Sequence, residues 1–490
     1  MSIDPGSITF GLDTFGDVTV DSAGDPVAPA QVIRDIVAQG ELADQVGIDH
    51  FSIGEHHRPD FAVSAPDMVL ASLAQRTERI TLGTAVIVLS SDDPLRVVER
   101  FSTLDALSQG RAELTVGRGS FTESFPLFGF AMQDYETLFE EKLDLLVTAL
   151  AGEPITWSGT TRAPLKDQSL YPPLERELPT WVAVGGSPNS VIRTARHGLP
   201  LMLAIIGGPA QRFAPYVDLF HEATAKLGGQ RRPVGVHSPG HIAATDAAAR
   251  EQLAPHWIHN RNEIGRERGW GPSGIGEFEA EADHGALYVG SPETVAQKIA
   301  RTITSLGIDR FDLKYANGPM PHEQLMESIR LYGTEVIPRV RELLAEAHVP
   351  EGSAFDEVRE PLPSAPRRGS PEQEGTDAQL GLLPGDAAQE VAPERALVRG
   401  IGADQRAEAP AGVHEDRHGP RCLVAGQRAR EAARVDRPVA VVPEVIEDVE
   451  DVVLGQGHPW RVLHAALGVV ADRHVHRHPH VLLGPLRALD

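Results

Sequence analysis

Three short clusters hold side chains from which chemistry could be built. Gly54-Glu55-His56-His57 puts a carboxylate beside two imidazoles. An imidazole with a pKa near ~6.5 exchanges protons at neutral pH, and a neighbouring carboxylate can orient it or stabilise its charged form. Val116-Gly117-Arg118-Gly119-Ser120 sets an arginine between glycines. The glycines let backbone approach a ligand, while the guanidinium can bind an anion through two parallel hydrogen bonds. Gly185-Gly186-Ser187-Pro188-Asn189-Ser190 reads as the start of a helix, with Ser187 at the N-cap and Pro188 in the first turn. Free amides at such a start, aligned with the helix dipole, bind phosphate. Each cluster alone also fits a surface loop or a plain helix cap, and Gly290-Ser291-Pro292-Glu293 has the same capping grammar. Together they point to a phosphate-bearing ligand beside a proton-handling histidine.

Elements that could position these clusters follow from the hydrophobic pattern. Short segments, several of them apolar or β-branched, at 8–12, 51–53, 80–88, 112–116, 181–184, 201–206, 234–243 and 310–314 predict strands. Longer stretches with apolar residues on one face predict helices at 30–46, 65–76, 94–108, 135–151, 187–197, 209–227 and 322–347. Residues 152–178 read as irregular. Eight strands alternating with helices predict an α/β fold, a (β/α)8 TIM barrel, in which chemistry gathers where strands end and loops begin. A doubly wound open sheet is the rival, but no GxGxxG follows the first strand. In a barrel the three clusters follow the second, fourth and fifth strands and share one mouth. Arg118 and Lys314, both cations at strand ends, argue against a catalytic metal, and none is expected. Phe121, Phe125, Phe128 and Phe130 form an aromatic run that could line an apolar pocket or pack a loop.

Composition narrows the class further. The 490 residues carry 69 acidic and 45 basic side chains, a formal net charge of -24. That balance disfavours a phosphate backbone as partner, so no nucleic acid is expected. The N-terminus lacks a basic stretch followed by an apolar run, and no window approaches a membrane span. A cytoplasmic protein without membrane contact is the expectation. The composition then changes near residue 350. The last lysine is Lys314, the last asparagine Asn317 and the last tyrosine Tyr332. Residues 351–490 hold 16 Arg, 23 acidic residues and two aromatics, Phe355 and Trp460, with proline throughout. They read as a low-complexity, disordered tail, or as out-of-frame sequence, with no function assigned. Cys422, the sole cysteine, and the alternating His474, His476, His478 and His480 all lie there. Domain one is therefore 1–350.

The stretch GEHHRPDFAVSAPDMVLASLAQRTERITLGTAVIVLSSDDPLRVVERFSTLDALSQGRAELTVGRGSFTESFPLFGF, residues 54–130, resembles the bacterial luciferase family of flavin-dependent monooxygenases. WVAVGGSPNSVIRTARHGLPLMLAI, residues 181–205, is similar to that family's phosphate-binding strand and helix, and VGSPETVAQKI to its late helix. The likeness covers about residues 5–347. It implies a barrel that binds reduced FMN, supplied by a separate flavin reductase, and uses O2 to oxygenate a small-molecule substrate through a flavin C4a-peroxide. His56 matches the family's catalytic histidine, with a pKa expected near the working pH, and Glu55 supports it. Ala85 and Val86 fall where the family has a non-proline cis peptide against the flavin ring. Arg118, Ser187, Ser190 and the backbone of Gly186 match its phosphate contacts. Residues 262–285 match a mobile lid, and a homodimer is implied. Gly117 and Gly186 depart from luciferases proper, which carry a cysteine and an acidic residue there, so light emission is not expected. A deazaflavin (F420)-dependent dehydrogenase, a non-catalytic flavin-binding barrel and a metal-dependent hydrolase are the alternatives.

Overall fold

The structure is a computed structural model that describes residues 4–347. The expectations for 351–490 lie outside the described residues. Twelve strands are present among the described residues. In order they are β1 (Thr9–Thr14), β2 (His50–Ile53), β3 (Thr81–Thr84), β4 (Ile87–Val88), β5 (Leu114–Gly117) and β6 (Ile155–Trp157), then β7 (Leu165–Gln168), β8 (Thr180–Val184), β9 (Leu201–Ala204), β10 (Val234–Ile242), β11 (Tyr288–Gly290) and β12 (Arg310–Lys314). Every residue of β2, β5, β10 and β12 is buried. Strands covered on both faces belong to parallel sheets with helices outside, and all pairings within the large sheet are parallel.

The hydrogen-bonded path runs β3-β2-β1-β12-β10-β9-β8-β5-β4. β3 and β4 are two halves of one predicted strand, interrupted at Ala85-Val86. Leu82 also bridges Ala112, its amide donating to Arg111 and its carbonyl accepting from Glu113. The path therefore closes on itself, and eight strand positions make the TIM barrel. β6 and β7 form a separate antiparallel hairpin within the stretch expected to be irregular.

Helices fill the exterior: α1 (Pro29–Gln45), α2 (Pro66–Ala74), α3 (Pro94–Ser108), the short α4 (Ser124–Phe128), α5 (Tyr135–Leu150), α6 (Pro188–Arg196) and α7 (Ala214–Lys226). After β10 come α8 (Asp246–Arg268) and α9 (Ile275–Asp283), then α10 (Pro292–Leu306), α11 (His322–Leu331) and α12 (Ile337–Glu346). α10 shows the local logic. Val295, Ile299, Ile303 and Leu306 recur at helical spacing and are buried, while the Ser291 hydroxyl accepts from the Thr294 amide as N-cap. The long helix expected at 322–347 is continuous, with a π turn at Tyr332–Val336 between α11 and α12. Among the described residues no helix is long and apolar enough to cross a membrane.

The barrel interior is sealed at the N-terminal ends of its strands by charge. Arg310, buried, pairs with Asp312 at 2.6 Å and with Glu113, and its guanidinium lies 5.2 Å from the Trp181 ring. Burial alone would disfavour that cation, but the two carboxylates raise its pKa. The three sequence clusters emerge at the opposite end.

Candidate active site

β2 ends at Ile53 and delivers Gly54-Glu55-His56-His57 to the mouth. A Cβ at Gly54 would stand 2.8 Å from the Ala85 carbonyl oxygen and 2.7 Å from the Phe15 ring, so only glycine lets these segments meet. The His56 ring is enclosed by Phe61 at 4.4 Å, Phe15 at 4.7 Å and Phe121 at 5.3 Å between centroids. That burial, reinforced by the charges of Lys314, Arg58 and His57, lowers its pKa to about 3. The expectation of a pKa near working pH is therefore corrected: the imidazole is neutral at neutral pH. Glu55 does not pair with His56. Its Oε1 lies 2.9 Å from His57 Nε2, and its Oε2 accepts from the Val88 amide at 2.9 Å. The Glu55 amide donates to the Val86 carbonyl at 3.2 Å. Glu55 thus braces the segment from Val86 to Val88, just past the Ala85-Val86 peptide, which is cis.

Other groups reach this mouth from distant strands. Asp13, on β1, holds His237 of β10 through a 2.6 Å contact between Oδ2 and Nδ1. The His237 ring stacks on Phe15 at 5.7 Å, so Phe15 contacts both histidines. Lys314, at the end of β12, donates to Asp17 at 3.0 Å and sits 4.7 Å from the Phe15 ring. Burial raises the Asp17 pKa, against the opposing pull of Lys314. Of these, only Lys314 stood out in the sequence. Asp13 in Leu12-Asp13-Thr14 carried a usable signal, a lone acid at a predicted strand end, whereas His237 lies inside a strand and carried none.

The other clusters converge because β5 and β8 are neighbours, with Val116 opposite Val182. Beside them Gly117 faces β4, and a Cβ there would lie 2.9 Å from a Val86 methyl. Ser187 is the N-cap of α6 but makes no side-chain capping bond. Gly186 adopts φ +108, a backbone region that favours glycine. The buried Ser190 Oγ has no hydrogen-bond partner, and neither has the buried Nη1 of Arg193 one turn further along. Arg193 was not singled out in the sequence. Arg118 pairs with Glu136, and Arg193 Nη2 pairs with the other oxygen of Glu136 at 2.8 Å. Ser190 lies in the first turn of α6 and Arg193 in its last, and Glu136 joins Arg193 to Arg118, so donors suited to an anion gather along one helix beside the loop after β5. Among the described residues no cluster of His, Cys, Asp or Glu could hold a metal ion.

A family model described as luciferase-like monooxygenase matches residues 14–310. The chain belongs to the luciferase-like monooxygenase family. It is similar to the alkanal monooxygenase alpha chain of Photobacterium leiognathi, 24% identical over 341 residues that cover 64% of this chain and 94% of that protein. Among solved structures it resembles the oxygenating constituent of 3,6-diketocamphane monooxygenase of Pseudomonas putida, in complex with FMN. The TM-score is 0.56 at 18% identity, covering 68% of this chain and 99% of that one. An F420-dependent secondary alcohol dehydrogenase in complex with an F420-acetone adduct also shares the fold, with TM-score 0.52 at 18% identity over 68% of this chain and 99% of that one. Family and relatives support an oxidoreductase role of the monooxygenase kind.

The luciferase-like barrel is covered on one side by its own long helix. Arg58 meets Asp60 at 3.0 Å and Glu123 at 2.5 Å, and it meets both oxygens of Glu267, near the end of α8, at 2.6 and 2.8 Å. Phe121 lies between the guanidinium groups of Arg58 and Arg268, at 4.6 and 5.1 Å. The expected loop at 262–285 is therefore mostly helix, the end of α8 and all of α9, joined by a glycine-rich turn. The aromatic run divides by role. Phe121 faces His56, and Phe125 is fully buried. Phe128 packs edge-on against His57, and Phe130 lies under Lys142.

Proposed function

We propose that this protein is an FMN-dependent monooxygenase that uses reduced FMN and O2 to oxygenate a small organic substrate in the barrel mouth. The observation that supports it most is the buried, unpartnered Ser190 Oγ in the first turn of α6, on the helix whose Arg193 shares Glu136 with Arg118. Leaving such a group unpaired costs about 1–3 kcal/mol, and a phosphate, which offers only acceptor oxygens, would satisfy it. Arg118, Gly186, Ser187 and Ser190 would hold the phosphate, and Ala85 and Val86 would line the flavin ring. Reduced FMN, when bound, supplies the electrons that activate O2. The chain's residues position and enclose. Phe15, Phe61 and Phe121 crowd the His56 ring, and Glu55 braces the segment from Val86 to Val88. His56, neutral, would hold a hydrogen bond at the reacting centre; it stores no proton of its own at neutral pH. Domain 1–350 would carry the whole activity, as a homodimer served by a separate flavin reductase.

Titration of the protein with FMN, riboflavin and a deazaflavin cofactor tests the reading, followed by O2 uptake on supplying reduced FMN. FMN should bind more tightly than riboflavin. Tight deazaflavin binding with no FMN binding would replace this reading with a hydride-transferring dehydrogenase, and FMN binding without O2 consumption would leave a binding protein. His56→Ala should keep FMN affinity and lose substrate-dependent oxygenation; full activity in that variant would remove His56 from the mechanism.

A further inference from the structure

The donors gathered along α6 already hold an anion of the chain's own. Glu136 and Glu140 are four residues apart on α5, hence on one face, and they meet Arg193 and Arg196, three apart on α6. Glu140 pairs with both Arg193 and Arg196. Glu136 divides its oxygens differently: Oε1 goes to Arg118, from the loop after β5, and Oε2 to Arg193. One carboxylate therefore bridges two arginines from separate elements, as two oxygens of a phosphate could. We propose that Glu136 is a built-in counter-ion that occupies the anion position and must be displaced when a phosphate-bearing cofactor binds, which makes it a determinant of cofactor affinity. This rests on the reading above that these donors take the FMN phosphate.

Exposure decides which partner moves. The Glu136 side chain is 54% exposed, whereas Arg118 and Arg193 are 18% and 11% exposed. Glu136 can turn into water at little cost, but the arginines cannot follow it without breaking their packing against Tyr135 and Phe139. The carboxylate is also an incomplete occupant. Its two oxygens are committed to the two arginines, while Arg193 Nη1, on a guanidinium it already contacts, stays unpartnered. A phosphate has three terminal oxygens and higher charge, so it can take over both arginine contacts and still reach a further donor. Until it arrives, Glu136 offsets the repulsion of two nearby guanidinium groups; the charge of Arg118 is one of the influences that lower the Arg193 pKa.

The test is an equilibrium titration of the full chain with FMN and with riboflavin, read by quenching of flavin fluorescence, for wild type, Glu136→Gln, Glu136→Ala and Glu140→Gln. Both Glu136 variants should bind FMN about twofold to fivefold more tightly, the range for a partly exposed charge, and riboflavin unchanged. Glu140→Gln should not tighten FMN, because Glu140 anchors α6 and does not fill the anion position. FMN affinity that is unchanged or weakened in both Glu136 variants, while wild type binds FMN better than riboflavin, overturns the counter-ion and leaves the cofactor reading intact. Wild type that binds neither flavin removes the cofactor reading, and the proposal with it. Circular dichroism melts of each variant separate loss of folding from loss of binding.

Discussion

Replacing His56 with Asn should change how the stability of the protein responds to acid, by an amount set by the surroundings of the ring. In the folded protein burial, aided by Lys314, Arg58 and His57, holds the imidazole to about 3. In the unfolded chain it titrates near ~6.5. Between these values the unfolded state binds a proton that the folded state refuses, so stability falls as pH drops below ~6.5 and the loss continues towards 3. From about pH 7.5 to about pH 5 this one group removes ~2 kcal/mol. His197 and His241, both lowered to about 4 by burial, add similar losses in wild type and variant alike, and they cancel in the comparison. The packing that Asn forfeits against Phe15, Phe61 and Phe121 is present at both pH values and cancels too. Urea unfolding of both proteins at the two pH values gives the answer. His56→Asn should lose ~2 kcal/mol less than wild type on acidification. If the two lose the same amount within about 0.5 kcal/mol, His56 titrates normally in the fold, and the argument for a neutral imidazole fails.

Three other outcomes are expected. Glu55→Ala leaves the buried Val88 amide and His57 without their acceptor and should cost about 2–4 kcal/mol in urea unfolding, whereas Glu55→Gln, which keeps a carbonyl for Val88, should cost roughly 1; equal losses would deny the carboxylate its bracing role. Arg58→Met unties α8 from Glu123 and Asp60, so limited proteolysis within 269–274 should accelerate and the His56 pKa should rise, as one of the charges that lower it is gone; unchanged cleavage would mean that the end of α8 is held by Phe121 and Arg268 alone. A chain ending near residue 350 should match the full chain in melting temperature and FMN affinity, and loss of either would give the remaining residues a structural part.

The barrel was legible because its cause is local. A strand covered on both faces reads as a short apolar run, as at 181–184, and an exterior helix repeats its apolar residues every three or four, as at 94–108; the helix range matches the structure and the strand starts one residue earlier. The break at Ala85-Val86 was not visible in the hydrophobic pattern, which runs unbroken from 80 to 88, and it entered only through the family resemblance. The hairpin of β6 and β7 was missed because Leu165–Gln168 is mostly exposed and polar, with no apolar run to betray it. The candidate site divides in the same way. Glu55, His56, Arg118, Ser187 and Ser190 showed themselves because each lies in a compact cluster just past a strand. Arg193 looked like any exposed helical arginine until α5 brought Glu136 and Glu140 against it.

Order along the chain therefore determined the class of fold, the end of the barrel where chemistry gathers and the residue types found there. Those are consequences of periodicity and of where strands stop, and both are written locally. Which groups meet was decided by closure of the barrel. It set Asp13 against His237, 224 positions away, and Lys314 against Asp17, 297 positions away. It also turned Glu55 from the histidine beside it to His57 and the Val88 amide. The protonation state of His56 belongs to that same level. An isolated imidazole is half-charged near ~6.5, and only three aromatic rings and the neighbouring cations, assembled from distant parts of the chain, make it neutral.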